Sequence, residues 1–159
     1  MDKTKKTVAI RTARSGDLET IVEITEKEFR QASIDARIED LLGGTSWIDL
    51  KRQALLNEIE NNKDGCFVAE VDGKIAGYVT TTVNRLASRG TIANIAVSSS
   101  FQGMGIGKTL LKHALEQFKK TGLKQAKIET LSTNETGRHL YPSLGFKEVA
   151  MQVHYVMPL

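Results

Sequence analysis

The sequence predicts a mixed α/β domain: a sheet of antiparallel and parallel strands with helices on both faces. Three observations predict it. An early run of strand patterns gives way to alternating helix and strand patterns, an order that implies a mixed sheet covered by helices. Asp72-Gly73 separates two apolar runs and is a strong hairpin signal. The stretch "SSSFQGMGIGKTLLKHAL", Ser98 to Leu115, passes through three alternate glycines, Gly103, Gly105 and Gly107, into a helical pattern. At 159 residues the chain is read as one domain, residues 1–159, with residues 1–6 expected to be an unstructured tail.

The elements follow in order. "TVAIRTAR" alternates as a half-buried strand does, and "SGDLETIVEITEKEF" opens on capping residues with an apolar face at Leu18, Ile21, Val22 and Thr25. From Ile34 to Asn61 the pattern is helical at both ends. The glycine pair of "LGGTSW" breaks it, and a second helix from about Asp49 carries Leu50, Ala54, Leu55 and Ile59. "CFVAEVDGKIAGYVTTTVN" is a hairpin and "TIANIAV" a short strand. Gly105 to Lys120 is a helix, "QAKIETL" a strand and Asn134 to Leu144 a helix. "FKEVAMQVHYVMPL" reads as one or two closing strands whose apolar alternation suits pairing with a second copy, so a homodimer is expected.

Composition removes several classes of function. A single cysteine, Cys66, makes no internal disulfide, and three scattered histidines give no metal-ligand spacing, so no metal site is expected. No apolar run reaches the roughly 18 residues of a membrane helix, and "MDKTKKTVAI" has no apolar signal segment, so a cytoplasmic protein without a membrane partner is expected. The net charge of +3 resides in small clusters, and at 6% aromatic residues a nucleic-acid partner is not expected.

The glycine loop fits neither common nucleotide motif. A Walker-type loop needs glycine five positions before Gly107, where Gln102 stands. The dinucleotide pattern counted from Gly103 needs glycine at Lys108, and from Gly105 at Leu110. What remains is a strand leading through glycines into a helix with its apolar face at Ile106, Leu110, Leu111, Ala114, Leu115 and Phe118. Unpaired N–H groups at such a helix start attract an anion such as pyrophosphate, although an ordinary glycine-rich turn into a core helix reads the same way.

Gln102-Gly103-Met104-Gly105-Ile106-Gly107 matches the Q/R-x-x-G-x-G/A signature of the GNAT superfamily of acetyl-coenzyme A dependent N-acetyltransferases, which the chain resembles. "IANIAVSSSF" before it is similar to the family's fourth strand. "NETGRHLYPSLGF" after it is similar to the N-x-x-A-x-x-x-Y-x-x-x-G-F ending, with Gly137 in the small-residue place. The resemblance implies a mostly antiparallel sheet whose parallel fourth and fifth strands splay apart to admit acetyl-coenzyme A. The cofactor arm would run along Ile95, Ala96 and Val97. The pyrophosphate would rest on backbone N–H groups of Gln102, Gly103, Met104, Gly105, Ile106, Gly107 and Lys108, with Asn134 and Tyr141 contacting the cofactor.

The implied reaction moves acetyl directly to a primary amine of a small molecule or peptide through a tetrahedral intermediate. It needs a neutral amine, an oxyanion donor and a proton for the departing thiolate. Val97 N–H is the donor candidate and Tyr141 the acid candidate, with positioning of the sulfur as its alternative role. The fourth strand offers Ala93 and Asn94 where many relatives carry a carboxylate, so Asn94 is assigned a relay water, with Glu129 as the alternative base. Around the helix joint, Trp47 is either a pocket wall or core. Asp40 and Asp49 either attract a cationic amine or serve as helix-end residues. The missing strand carboxylate leaves open an acyl-coenzyme A sensor with little turnover.

Overall fold

In the computed structural model, residues 7–159 are described, and the tail expected over residues 1–6 lies outside them. The first helices are α1 (Leu18–Glu28), α2 (Ile34–Leu42) and α3 (Trp47–Asn61), preceded by strand β1 (Val8–Thr12). Strands β2 (Cys66–Val71), β3 (Lys74–Asn84) and β4 (Arg89–Val97) follow, then α4 (Ile106–Lys120), β5 (Gln125–Ile128) and α5 (Glu135–Ser143). The five strands form one sheet in sequence order, antiparallel except for the parallel pairing of β4 with β5.

The sheet separates two cores because its strands alternate. In β2, Phe67, Ala69 and Val71 pack with α4 residues Ile106, Leu110, Leu111, Ala114 and Phe118. Cys66 and Val68 face Ile21, Val22 and Ile24 of α1 and Leu55 and Ile59 of α3. A strand buried on both faces reads as a continuous apolar run, as "CFVAEV" does. The β2–β3 turn places Asp72 at φ 51° and Gly73 at φ 74°, the positive pair a two-residue hairpin requires. Arg11 of β1 ties the preceding turn to the sheet, donating to Asp17 Oδ2 at 2.7 Å and to Glu70 Oε1 at 2.9 Å.

Several expectations shift. The third helix begins at Trp47 rather than Asp49, and Leu50 and Ala54 face solvent, because its buried side runs through Trp47, Leu55 and Ile59. β5 ends at Ile128 instead of Leu131. The closing strands do not form: residues 146–159 carry no regular structure. A strand requires a partner edge, and Phe146 is tied back to α5 through Phe146 N–H donating to Tyr141 O at 3.2 Å.

Candidate functional site

The glycine loop starts as a tight turn. Gln102 sits at φ −65°, ψ 155° and Gly103 at φ 80°, the dihedrals of a type II turn, whose third position demands a positive φ. Gly105, at φ 75° and ψ 13°, is the N-cap of α4 and offers no capping side chain. The first helical bond is Thr109 N–H to Gly105 O at 3.0 Å, so the N–H groups of Ile106, Gly107 and Lys108 have no intrahelical acceptor. Among the described residues, no atom beyond the chain neighbours lies within 4 Å of where a Cβ would stand at Gly103 or Gly105. A Cβ on Gly107 would lie 3.7 Å from Val97 Cγ2 and 3.9 Å from Leu140 Cδ2, which brings the ends of β4, α4 and α5 together.

The second part of the site is a strand edge. β5 accompanies β4 only from Arg89 to Ile92, and β4 continues through Val97 paired with β3 on its other side. Ser98 N–H donates to Ala76 O at 2.8 Å, which makes Ser98 and Ala76 a hydrogen-bonded pair across β3. By antiparallel alternation Ala96 is bonded to Tyr78, whereas the N–H and C=O groups of Ile95 and Val97 point to the side that β5 has left. Gln102 Nε2 donates to Val97 O at 3.1 Å from that side, in keeping with this direction. Ala96 itself is buried on the α1 and α3 face.

Gln102 spends its side chain on this scaffold rather than on a ligand, since Nε2 also donates to Glu28 Oε2 at 3.3 Å. Ser99 N–H donates to Glu28 Oε1 at 2.8 Å. Glu28, which sequence reading passed over, therefore fixes the approach to the glycine loop. A carboxylate in the last turn of α1 opposes the helix dipole, and that local conflict was its available signal.

Across the gap, Tyr141 is half-buried against the α4 core and meets the Phe146 ring edge-on at 6.3 Å. Burial pushes its phenol above the usual value, so it holds its proton at neutral pH. Asn134 caps α5, accepting from Gly137 N–H at 3.1 Å and donating to Thr130 Oγ1 at 2.8 Å. Met104 and Lys108 are exposed beside the loop, whereas the Ile106 side chain is core.

On the opposite face a polar group occupies the core of the sheet. β4 carries one extra residue, Ala93, since Thr80 pairs with Asn94 and Thr81 with Ile92. The bulge turns Asn94 toward α3, where it is 4% exposed. Its Nδ2 donates to Glu58 Oε2 at 2.9 Å and Thr80 Oγ1 at 2.8 Å, and its Oδ1 accepts from Lys51 Nζ. Lys51 Nζ also lies 4.6 Å from the centre of the Phe29 ring, and burial pulls its pKa below the usual value. Lys51 and Glu58 are seven residues apart on α3, two helical turns, and that spacing was their sequence signal. A cleft of about 400 Å³ opens beside Glu58, lined by Asn57, Asn61, Asn62 and Thr81 to Val83.

The acceptor candidates divide. Trp47 is 3% exposed, with the Arg30 guanidinium 6.0 Å from its ring centre, so it is packed at the start of α3. Asp49 is exposed in the first turn of α3, and Asp40 pairs with Arg30. Glu129 lies just beyond β5, exposed and paired with Lys127. Arg37 of α2 donates to Thr133 Oγ1 at 3.5 Å, joining the helical side to the loop before α5. Among the described residues no cluster of three or more potential metal ligands is present.

A splayed strand pair beside an uncapped, glycine-rich helix start defines a site for an extended ligand that ends in phosphates. The "Acetyltransferase (GNAT) family" profile matches residues 18–146, and the chain belongs to that family, whose acyl donor is acetyl-coenzyme A. An N-alpha-acetyltransferase of Sulfolobus acidocaldarius is 27% identical over 84% of this chain and 92% of its own length. The N-alpha-acetyltransferase of Sulfurisphaera tokodaii is 32% identical over 56% of this chain and 60% of its own. The ribosomal protein bS18 alanine N-acetyltransferase of Escherichia coli is 33% identical over 53% and 55%. The latter two alignments thus leave well over a third of each relative unmatched. The fold is shared with the PaiA N-acetyltransferase of Thermoplasma acidophilum in complex with coenzyme A, at TM-score 0.73 and 22% identity over 92% of this chain and 93% of that one.

Proposed function

We propose that this chain transfers an acetyl group from acetyl-coenzyme A to a primary amine, and that the amine is the N-terminal α-amine of a polypeptide. The observation that carries the reading is the edge of β4 at Ile95 and Val97 that β5 does not cover, next to the N–H groups of the α4 start that have no intrahelical acceptor. The residues fit the cofactor, because the N–H groups of Ile106, Gly107 and Lys108 have no intrahelical acceptor and the space beside Gly103 and Gly105 is open. Acetyl-coenzyme A supplies the acetyl group as a thioester. The edge groups of Ile95 and Val97 would hold its arm as a neighbouring strand does, and Val97 N–H would donate to the oxygen on which negative charge develops. The N–H groups from Gly103 to Lys108, with the Lys108 ammonium, would hold the pyrophosphate, whereas the Gln102 N–H donates to Ser99 O at 3.4 Å. Tyr141 O–H would supply the proton to the leaving sulfur, and Asn134 keeps α5 in place through its cap.

Proton removal distinguishes among amines. A peptide α-amine with a reference pKa of about 7.7–8.0 is neutral about one time in ten at pH 7, far more often than a lysine at about 10.4. A site without a carboxylate on β4 suits the amine that needs the least help. Asn94 positions the relay water and Glu58, hydrogen-bonded to it, is the carboxylate that receives the proton; Glu129 remains the competing base. The names of the two archaeal relatives and of the ribosomal-protein enzyme support an α-amine acceptor. Exposed Asp49 and Glu129 would draw the amine in, with buried Trp47 as a rigid floor for the helix joint.

A cytoplasmic location and a second copy of the chain as partner complete the reading. Among the described residues, no helix is long and apolar enough to cross a membrane. The test is release of free coenzyme A thiol with three peptides: free N-terminus without lysine, acetylated N-terminus with lysine, and acetylated N-terminus without lysine. Release with the first alone is expected. Release only with the second refutes the α-amine reading, and cofactor binding without release on any amine favours a sensor.

A further inference from the structure

We propose that Glu28 is a positioning residue that sets the spacing between the two halves of the cofactor site. The inference rests on the placement of coenzyme A proposed above, with its arm along β4 and its pyrophosphate at the start of α4. Those halves are separate pieces of backbone. Val97 ends the strand, Gly103 opens the glycine loop, and residues 98–102 span the distance between them. A ligand that fills both halves gains from their connection only when the spacer holds them at the distance the ligand needs.

The spacer is fastened along its length. Ser98 N–H donates to Ala76 O at 2.8 Å, which ties its first residue to β3, and Phe101 N–H closes a tight turn on Ser98 O at 2.8 Å. Its last residue, Gln102, is exposed and is held through its side chain. Glu28 Oε1 accepts from Ser99 N–H at 2.8 Å, at the start of the turn, and Oε2 accepts from Gln102 Nε2 at 3.3 Å, at its end. The same Nε2 donates to Val97 O at 3.1 Å, which folds Gln102 back on the last residue of the strand. Glu28 is 71 residues from Ser99 and 74 from Gln102, so the last turn of α1 fixes a span that its own local sequence does not.

Charge decides what these bonds are for. A carboxylate repels a pyrophosphate, so Glu28 is no ligand for the anion, and by Coulomb's law alone its removal would tighten binding. A role in geometry has the opposite sign. Both carboxylate oxygens are committed to donors of the spacer, so losing them frees the span, and a ligand that bridges the halves must then order it on binding. A ligand that fills one half does not sense the spacing.

The experiment uses the isotope-labelled full chain and three probes. Coenzyme A spans both halves, ADP carries the pyrophosphate without the arm, and pantetheine is the arm without the pyrophosphate. Amide shift titrations give each dissociation constant and report which half is filled, and melting curves check folding. In the wild type, ADP is expected to shift residues 103–108, pantetheine to shift Ile95 and Val97, and coenzyme A to shift both sets. Glu28→Ala is expected to weaken coenzyme A about tenfold, with ADP and pantetheine unchanged within about twofold. Glu28→Gln keeps one acceptor for Ser99 N–H, so its loss should be intermediate, and it carries the comparison if the alanine variant does not fold. Unchanged or tighter coenzyme A binding overturns the proposal. An equal loss for ADP or pantetheine also overturns it, because Glu28 then belongs to one half alone. Coenzyme A that shifts neither set in the wild type overturns the cofactor placement together with this inference, whereas wild-type shifts at both sets leave the placement standing whatever the variants do.

Discussion

Replacing Asn94 with alanine isolates the polar group under β4. The side chain makes three hydrogen bonds, to the Lys51 ammonium, the Glu58 carboxylate and the Thr80 hydroxyl. Bonds to charged groups contribute about 1.5–3 kcal/mol each and a neutral one about 0.5–1.5. The sum of about 3.5–7.5 kcal/mol is an upper bound, because Lys51 and Glu58 both reach Asn94 and re-pair once it is gone. We expect a net loss of about 2–3 kcal/mol, which for a domain of this size lowers the melting temperature by roughly 4–12 °C. Urea unfolding of the single variant, of Lys51→Met and of the double variant measures the coupling directly. A coupling energy above about 1 kcal/mol is expected for groups in one network. A loss below about 0.5 kcal/mol for Asn94→Ala, with additive effects in the double variant, would refute the network and with it the relay assigned to Asn94.

Tyr141→Phe should lower kcat about 100-fold or more while coenzyme A affinity, read by calorimetry, stays within about twofold; equal loss of affinity would make the residue a cofactor anchor instead. Gly107→Ala should fold and bind, because its Cβ finds ordinary contacts at 3.7 and 3.9 Å. Gly107→Val should fold yet weaken coenzyme A binding about tenfold or more, worth about 1.4 kcal/mol, and unchanged binding would move the cofactor out of the loop. Arg11 holds the Asp17 carboxyl below the usual carboxylate range, chiefly by hydrogen bonding. A depressed folded-state pKa stabilises above the unfolded value near 3.8 and loses that contribution as pH falls through the folded value. Asp17→Asn should therefore cost about 1 kcal/mol at pH 7 and progressively less in acid, which urea titrations from pH 7 to 2 would check. Burial pushes the Cys66 thiol up to about 11, so a thiol reagent should find no reactive group in the native protein and one in denaturant. Prompt native reaction would contradict that burial.

The sequence carried most of the fold because its signals were local. Asp72-Gly73 specified its turn, the short apolar runs "CFVAEV" and "TIANIAV" specified strands, and the 3.6-residue spacing of Ile106, Leu110, Leu111, Ala114 and Phe118 specified the face of α4. The starts of α4 at Gly105 and of α5 at Asn134 were also legible, since helix starts depend on residues within three or four positions. What escaped was set across the sheet. The start of α3 depends on Glu39 accepting from Trp47 N–H at 2.8 Å, a bond eight residues long that no local rule registers. Lys51, Glu58 and Asn94 meet only because a bulge at Ala93 rotates one strand segment, and a single-residue register change has no propensity signature. The closing segment shows the reverse failure. Its alternation reads as a strand pattern, yet residues 146–159 form no strand, because such a pattern does not say which edge will receive it.

The overhang of β4 also makes ligand binding visible at single amides. In the free chain the N–H groups of Ala96 and Ser98 are shielded by β3, whereas those of Ile95 and Val97 face the gap and exchange with solvent. The strand thus alternates, residue by residue, between protected and unprotected hydrogens. A ligand that lies along it as an extra strand would erase that alternation, slowing exchange at residues 95 and 97 while leaving 96 and 98 unchanged. The protein leaves the last place in its central ladder unfilled, and cofactor binding then resembles the final step of folding more than the docking of a molecule on a finished surface.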